Sequence, residues 1–505
     1  MLFNTPEFIF LFLPAVVLLH FALARWRIEA AVVGTTISSL VFYAWWNPPF
    51  VLLPILSILA NFWLARRMAA AEPAASRRLL IVGIAANLLL LCYYKYTDFF
   101  LSVVDGHKPA PPNVPLALSF TTFVQIAFLV HVHQRRSAPD FNRYALFVAF
   151  FPHLIAGPIV RWGSLGRQLY DAARYRPDWD NIALGLTIFV FGLAKKVLIA
   201  DPLSPHVAVV FDAASRGEPI TAFAAWAGAT AFTLQIYFDF SGYSDMAIGL
   251  GLLFNLRLPI NFAAPLRAVN MFDLWRRWHM TLARLVRDLV YVPLAVGHSG
   301  TWRQWGALLF TMTLIGFWHG AGWTFIVWGA LHGCMLLINE TWRSIRGPGE
   351  GTALGRLAGW ALTFTGFVFA IVFFRAADMD AAWRIVVAMA GFGFAAVPDH
   401  LTLTWDAWML SQGYVSELFV RTWLGSTWTM VGTLWVLLAF AVAMFVPDTM
   451  EITDYREGDA PTKWRRSAGI LAWRPALLPL GIATALFIAA FASIGRVSEF
   501  LYYQF

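Results

Sequence analysis

The stretch QWGALLFTMTLIGFWHGAGWTFIVWGALHGCMLLIN, residues 304–339, decides the fold class. An α-helix rises about 1.5 Å per residue, so about 20 apolar residues cross the ~30 Å hydrocarbon core of a bilayer. This run is too long for one crossing. It holds two, or one crossing and a re-entrant piece. His319 lies deep within it, among tryptophans, with Gly320 and Gly322 beside it. An ionisable group at such depth is costly unless paired or wet, so it marks a candidate site. The glycines would let a backbone or a ligand approach closely.

Further apolar runs occur at 7–24, 29–46, 50–65, 79–103, 114–133, 182–200, 222–254, 357–375, 428–446 and 469–493. Together they predict an all-α polytopic membrane protein of about 11 crossings. Composition agrees: 59% of the 505 residues are hydrophobic and 13% charged, with a mean hydropathy of +0.63. Soluble domains carry about 25% charged residues. The net charge of +8 does not point to nucleic acid, because Arg and Lys sit in short clusters between apolar runs. That is the pattern of loops anchored against anionic lipid. Positive charge alternates between loops, with Arg25 and Arg27, then Arg66, Arg67, Arg77 and Arg78, then Arg135, Arg136 and Arg143. The alternation predicts an N-terminus outside and Arg-rich loops in the cytoplasm. The first positive residues follow the first apolar run, so that run reads as a retained span rather than a signal peptide. No repeat or soluble-domain linker interrupts the chain, which reads as one membrane domain over 1–505.

Two segments break the simple pattern. Residues 147–161, FVAFFPHLIAGPIVR, contain Pro152, Gly157 and Pro158 and suggest a re-entrant piece. Residues 272–290, FDLWRRWHMTLARLVRDLV, predict an amphipathic helix. At about 100° per residue, Asp273, Arg277, Arg284, Arg287 and Asp288 share one face, and His279 falls with the apolar stripe.

Several residues could carry chemistry, and each has a plain structural alternative. His319 suits general-base work on a hydroxyl, or is a core histidine bonded to a carbonyl. His279 could stabilise charge near a reaction centre, or bond a neighbouring helix. His332 lies 13 residues beyond His319, about 220° around a continuous helix, so the two would not share a face; a structural role is the better reading for it. Asp239 and Asp245, with Ser241, Tyr243 and Ser244, make a polar patch in an apolar run. It is a network holding helices together, a set of partners for Arg276 and Arg277, or a proton relay. Lys195 and Lys196 before Asp201 would snorkel to headgroups, or contact a phosphate-bearing donor. Cys92 and Cys334 read as small buried hydrophobes, with no metal-ligand spacing and no disulfide expected. No Walker A, G-x-S-x-G, H-E-x-x-H or Rossmann pattern is present, so ATP-driven transport and metalloprotease chemistry lack support.

YKYTDFF (94–100), FPHLIAGPIVR (151–161), GLAKKVLIAD (192–201), FDFSGYSDMAIGLG (238–251), NFAAPLRAVNMFDLWRRWHMTLARLVRDLVYVPL (261–294), GFWHGAGWTFIVWGALHG (316–333) and FFRA (373–376) occur in an order that resembles the membrane-bound O-acyltransferase (MBOAT) superfamily. The likeness is to its bacterial polysaccharide-modifying branch, which includes alginate O-acetyltransferase membrane subunits. It is densest over about 94–376 and weak after about 397. PLALSFTTFVQIAFLV (115–130) carries Ala117, Leu118 and Thr121 where the family has Gly, Ile and Tyr. AVGHSG (295–300) stands where the alginate branch has G-G-N.

The resemblance implies a ring of helices around a central tunnel, with re-entrant and amphipathic pieces inside. It implies that His319 and His279 are the catalytic histidines. Trp318, Trp323, Asp245 and Arg277 are expected to bind substrate. The expected reaction is transfer of an acyl group, foremost acetyl, from a cytoplasmic thioester to a hydroxyl of an exopolysaccharide such as alginate. Acetyl-CoA is the expected donor, with no tightly bound cofactor and no metal. An SGNH-hydrolase-like periplasmic protein is the expected partner, in a bacterial inner membrane. A carrier-protein thioester bearing D-alanine is the alternative donor. A glycan or lipid transporter is the alternative of a different class, and it predicts inverted repeats that the chain does not display.

Overall fold

The computed structural model describes residues 1–45, 48–107, 114–155, 157–297, 300–347, 352–392, 430–456, 472–474, 476–494 and 501. Every element in it is helical. Of the weakly matched C-terminal region after about 397, residues 397–429 and 457–471, with the starts of the runs 428–446 and 469–493, lie outside the described residues, as do His298 and Ser299.

The elements are α1 (Leu13–Trp26), α2 (Ile28–Ala44), α3 (Leu52–Ala70), α4 (Pro73–Lys95), α5 (Thr97–Asp105), α6 (Leu118–Arg135), α7 (Phe141–Ala149), α8 (Phe151–Leu154), α9 (Trp179–Ala194), α10 (Asp201–Arg216), α11 (Ala222–Leu253), α12 (Met271–Arg277), α13 (Met280–Val286), α14 (Val292–Ala295), α15 (Thr301–His319), α16 (Trp323–Arg346), α17 (Ala353–Arg375), α18 (Met379–Met389), α19 (Met430–Phe445), α20 (Thr449–Ile452) and α21 (Leu477–Ser493). Among the described residues, five stretches are long and apolar enough to span a bilayer: Phe8–Trp26, Pro48–Ala70, Pro73–Lys95, Trp179–Arg216 and Ala353–Arg375. Leu18, Trp26, Leu89 and Leu362 are each about 70% exposed or more. Water would not tolerate so broad an apolar exterior, but hydrocarbon does. The chain is an integral membrane protein.

Two compact units interleave along the sequence. The first comprises 1–194, 241–261 and 449–497; the second comprises 195–240, 262–448 and 498–505. In the first, polar side chains join apolar helices. Asn61 and Asn87 exchange amide hydrogen bonds between α3 and α4, and His20 Nδ1 meets Thr35 Oγ1 at 2.8 Å between α1 and α2. In lipid such bonds hold helices together where the hydrophobic effect cannot. Gly185 and Gly192 of α9 face Gly249 and Gly242 of α11 so closely that a Cβ at Gly192 would lie 2.5 Å from the Gly242 carbonyl oxygen.

The segment 147–161 is broken, as its prolines and glycine predicted, and it is buried. Asp140 caps α7 by accepting from Arg143 N at 3.1 Å. The chain kinks at Phe150 and forms only the single turn of α8 before Pro158.

The run 304–339 holds two helices, α15 and α16, and both belong to the second unit. Three expectations are corrected. The amphipathic segment 272–290 is not one helix. It stops after Arg277, turns at Trp278–His279 and restarts as α13, because His279 adopts φ 41° and ψ 51°. Lys196 does not snorkel. It is buried and lies 2.8 Å from Asp201 and 2.5 Å from Asp239. The cysteines are not core residues: Cys334 is exposed and Cys92 half-buried. A lipid-facing surface is as apolar as an interior, so apolar neighbours in sequence do not imply burial here.

Candidate active site

The site grows from the α15–α16 turn. α15 ends at His319, Gly320 and Gly322 are extended, and α16 begins at Trp323. A Cβ at Gly316 would stand 2.2 Å from the Phe325 carbonyl oxygen, and one at Gly329 would stand 2.4 Å from that of Met312. The two backbones therefore touch, and the hairpin holds His319 at the break. His319 is 6% exposed. Its ring makes edge contacts with Trp318 at 4.8 Å, Trp328 at 5.3 Å and Phe374 at 5.2 Å.

Folding back at Gly320–Gly322 changes the standing of His332. A 220° separation holds only along a continuous helix, and the helix ends at His319. The ring of His332 lies 4.8 Å from Trp328, 5.4 Å from Trp275 and 5.6 Å from Phe367, and the residue is fully buried. Trp328 thus stands against both histidines. Among the described residues, nothing hydrogen-bonds to either ring nitrogen of His332 or to the Nε1 of Trp275 and Trp328. Buried polar atoms are ordinarily paired. Four of them in one aromatic cage can hold a bound polar group.

His279 sits at the turn between α12 and α13. It is 1% exposed, and its carbonyl accepts the first bond of α13 from Ala283 N at 3.0 Å. A left-handed histidine costs about 1–3 kcal/mol, and such strain clusters at functional sites. Phe240 packs edge-on to its ring at 4.7 Å, and Phe262 stacks at 6.5 Å. Phe262 meets Trp278 at 5.2 Å, and Trp278 meets Phe367 at 5.1 Å. An unbroken chain of rings joins His279 to the cage of His332 and so to His319.

The other expected residues divide. Trp318 is buried beside His319. Trp323 is 55% exposed at the start of α16. Arg277 donates Nε to Asp273 at 2.9 Å, which clamps α12 just before His279. Asp245 is buried in the first unit, on α11. Asp239, of the same polar patch, is engaged by Lys196. Lys195 pairs with Asp448 at 3.4 Å, and Asp448 also accepts from Ala264 N at 3.1 Å. Among the described residues, no three of His, Cys, Asp and Glu form a metal-ligand group. Sequence reasoning missed Trp328, Trp275 and Phe374. The Gly-Ala-Gly after His319 could have found Trp328, since it folds α16 back against His319. Trp275 carries no signal in a chain with 24 tryptophans.

The statistical model of the membrane-bound O-acyltransferase family matches residues 87–374. The chain belongs to this family. It is a membrane O-acyltransferase, and the matched region contains His279 and His319. The peptidoglycan O-acetyltransferase of Helicobacter pylori is 38% identical over 77% of this chain and 80% of its own length. The Azotobacter vinelandii protein named "Probable alginate O-acetylase AlgI" is 34% identical over the whole of both chains. A more distant likeness is to the teichoic acid D-alanyltransferase of Streptococcus thermophilus, 26% identical over 45% of this chain and 57% of that one.

Proposed function

We propose that this MBOAT protein passes an acetyl group from acetyl-CoA to a hydroxyl of a cell-envelope polysaccharide, with His319 as general base. The observation that carries the reading is His319 itself, fixed at a helix break inside an aromatic box with a second histidine across Trp328. The imidazole takes the proton of the acceptor hydroxyl as its oxygen attacks the thioester carbonyl. The C–O bond forms, the C–S bond breaks, and the imidazolium returns its proton to the leaving thiolate. His332, Trp275 and Trp328 offer hydrogen-bonding atoms to the reacting group, and Trp318 and Trp323 border its approach. His279, held in a costly conformation, orients or stabilises charge from the far end of the ring chain.

The names of the relatives support O-acetyl transfer to a glycan, whether alginate or another exopolysaccharide, or peptidoglycan. Where an SGNH-hydrolase-like periplasmic partner relays the acetyl group to the polymer, the attacking hydroxyl is that of the group which first takes the acetyl, and the role of His319 is unchanged. A bacterial inner membrane with the N-terminus outside fits that chemistry, since the Arg-rich loops then face cytoplasmic CoA. A ring of about eleven crossings around a tunnel is the matching architecture. No tightly bound cofactor is required.

The test is transfer of radiolabelled acetyl from acetyl-CoA in membranes holding the wild type or His319→Ala. Label leaving CoA only with His319 intact supports the reading. Full activity in His319→Ala, with the protein inserted, overturns it. A wild type inert to acetyl-CoA but active with a D-alanyl carrier thioester would move the donor, and one that transports a glycan without any thioester would move the class.

A further inference from the structure

The loop that leads into α12 carries a strained bend. Ala264 adopts φ 47° and ψ 57° and is followed by Pro265. A left-handed conformation strains any residue with a Cβ, and a residue before proline prefers extended backbone. Alanine has no polar side-chain atom with which to hold the bend itself. Such a conformation persists only where its surroundings over-determine it.

Two hydrogen bonds do so. On one side, Ala263 N donates to the Arg277 carbonyl at 3.0 Å, at the last residue of α12 and two before His279. On the other, Ala264 N donates to Asp448 Oδ2 at 3.1 Å. Asp448 is 7% exposed, and its Oδ1 lies 3.4 Å from Lys195 Nζ. The loop also grips the chain just before Asp448. Arg267 Nε donates to the Ala443 carbonyl at 3.0 Å, and its Nη2 donates to that of Val446. These carbonyls stand at and just past the end of α19, where a helix leaves its carbonyls without partners of its own. All of these residues belong to the second unit.

The bend carries Phe262, two residues before Ala264. The Phe262 ring stacks on His279 at 6.5 Å and meets Trp278 edge-on at 5.2 Å and Phe240 at 5.0 Å. The two left-handed residues, Ala264 and His279, therefore lean on one ring. If Ala264 relaxed to extended backbone, Phe262 would leave the face of His279. The carboxylate that prevents this lies beyond residues 87–374, the stretch that the family model matches.

We infer that Asp448 is a positioning residue for acyl transfer. Its Oδ2 holds Ala264 in the bend and, through Phe262, fixes the ring of His279; its Oδ1, against Lys195, contributes stability. The inference rests on the role given to His279 above. Acetyl-CoA transfer kinetics scaled to folded protein, with hydrogen exchange at the Ala264 amide, test it. Asp448→Leu should lower kcat at least about tenfold and leave KM for acetyl-CoA within about twofold, because misplacement costs rate rather than donor binding. Adding Ala264→Gly should restore most of kcat, since glycine keeps the bend without the carboxylate. Asp448→Asn keeps an oxygen for Ala264 N but no charge for Lys195, so its melting temperature should fall while most of kcat remains. Unchanged kcat in Asp448→Leu, or no recovery with Ala264→Gly, overturns the inference and leaves Asp448 a counter-ion of Lys195. Equal loss of kcat in the Asn and Leu variants overturns it too. If Asp448→Leu does not fold, Asp448→Asn decides: kcat retained supports the assignment, and kcat lost overturns it. Exchange at Ala264 should quicken in Asp448→Leu whatever the donor, and exchange that stays slow overturns the contact. Quickened exchange with a wild type inert to acetyl-CoA upholds the contact and overturns the reading of the reaction instead.

Discussion

His319 and His332 stand on two different helices and meet the same indole, Trp328, at ring-centroid distances of 5.3 Å and 4.8 Å. The reaction centre is therefore built around a shared aromatic wall, and its parts can be separated by substitution.

His319→Gln keeps most of the side-chain volume and removes the base. Acyl transfer should fall by about 10²–10⁴-fold, the usual worth of a general base, with thermal stability close to wild type. A loss of stability matching the loss of activity would instead make His319 a packing residue.

For His332, the paired variants His332→Gln and His332→Phe distinguish a polar role from a filling one. If the cage holds a reacting group, Gln retains more transfer activity than Phe. If the ring only fills space, Phe is the better replacement and both variants turn over normally once folded. Initial rates in membranes, scaled to inserted protein, read the difference.

Gly316→Ala places a methyl group 2.2 Å from the Phe325 carbonyl oxygen. The α15–α16 hairpin must open to accept it. A destabilisation of about 1–3 kcal/mol is expected, as for overpacking elsewhere, together with loss of transfer, since His319 moves away from Trp328. Fluorescence-detected melting alongside the transfer assay checks both.

Lys196 holds Asp201 and Asp239 in a buried cluster. Lys196→Met leaves Asp239 without its cation and should cost about 3–5 kcal/mol. Lys196→Met combined with Asp239→Leu should recover much of that loss. Equal melting temperatures for the single and double variants would refute the pairing as the source of stability.

Asp140 offers a pH reading outside the spans. Burial pushes its carboxyl upward, but the Arg143 backbone N–H, the Tyr170 hydroxyl at 2.7 Å and the Arg143 charge outweigh this and hold it below 3.8. A depressed pKa means that the contribution is present above the unfolded value and is lost as pH falls through the folded one. Asp140→Ala should cost about 1 kcal/mol at neutral pH, a typical capping value, and the gap to wild type should close below about pH 4. A gap unchanged down to pH 3 would show that the charge is irrelevant.

Much of the membrane character was legible because hydrocarbon imposes a length and a polarity on every crossing. The split of 304–339 and the break at 147–161 followed from that rule and from Pro152, Gly157 and Pro158. What escaped were backbone events with no local marker. His279 in a left-handed turn has no glycine to announce it, so the segment read as a continuous amphipathic helix. Lys196 read as a snorkelling end because its partner Asp239 is 43 residues away. The periodicity that sets His332 apart from His319 is interrupted at Gly320–Gly322. The resemblance pointed to His319 and His279; the cage between them required coordinates.

Cys334 lies two residues beyond the caged His332, yet it is exposed on the outer face of the same helix. Thiols react as thiolates, which need water to form. The protein thus carries its own gauge of what covers α16. A water-soluble maleimide should leave Cys334 untouched while a bilayer coats that face, and should capture it once lipid is stripped away.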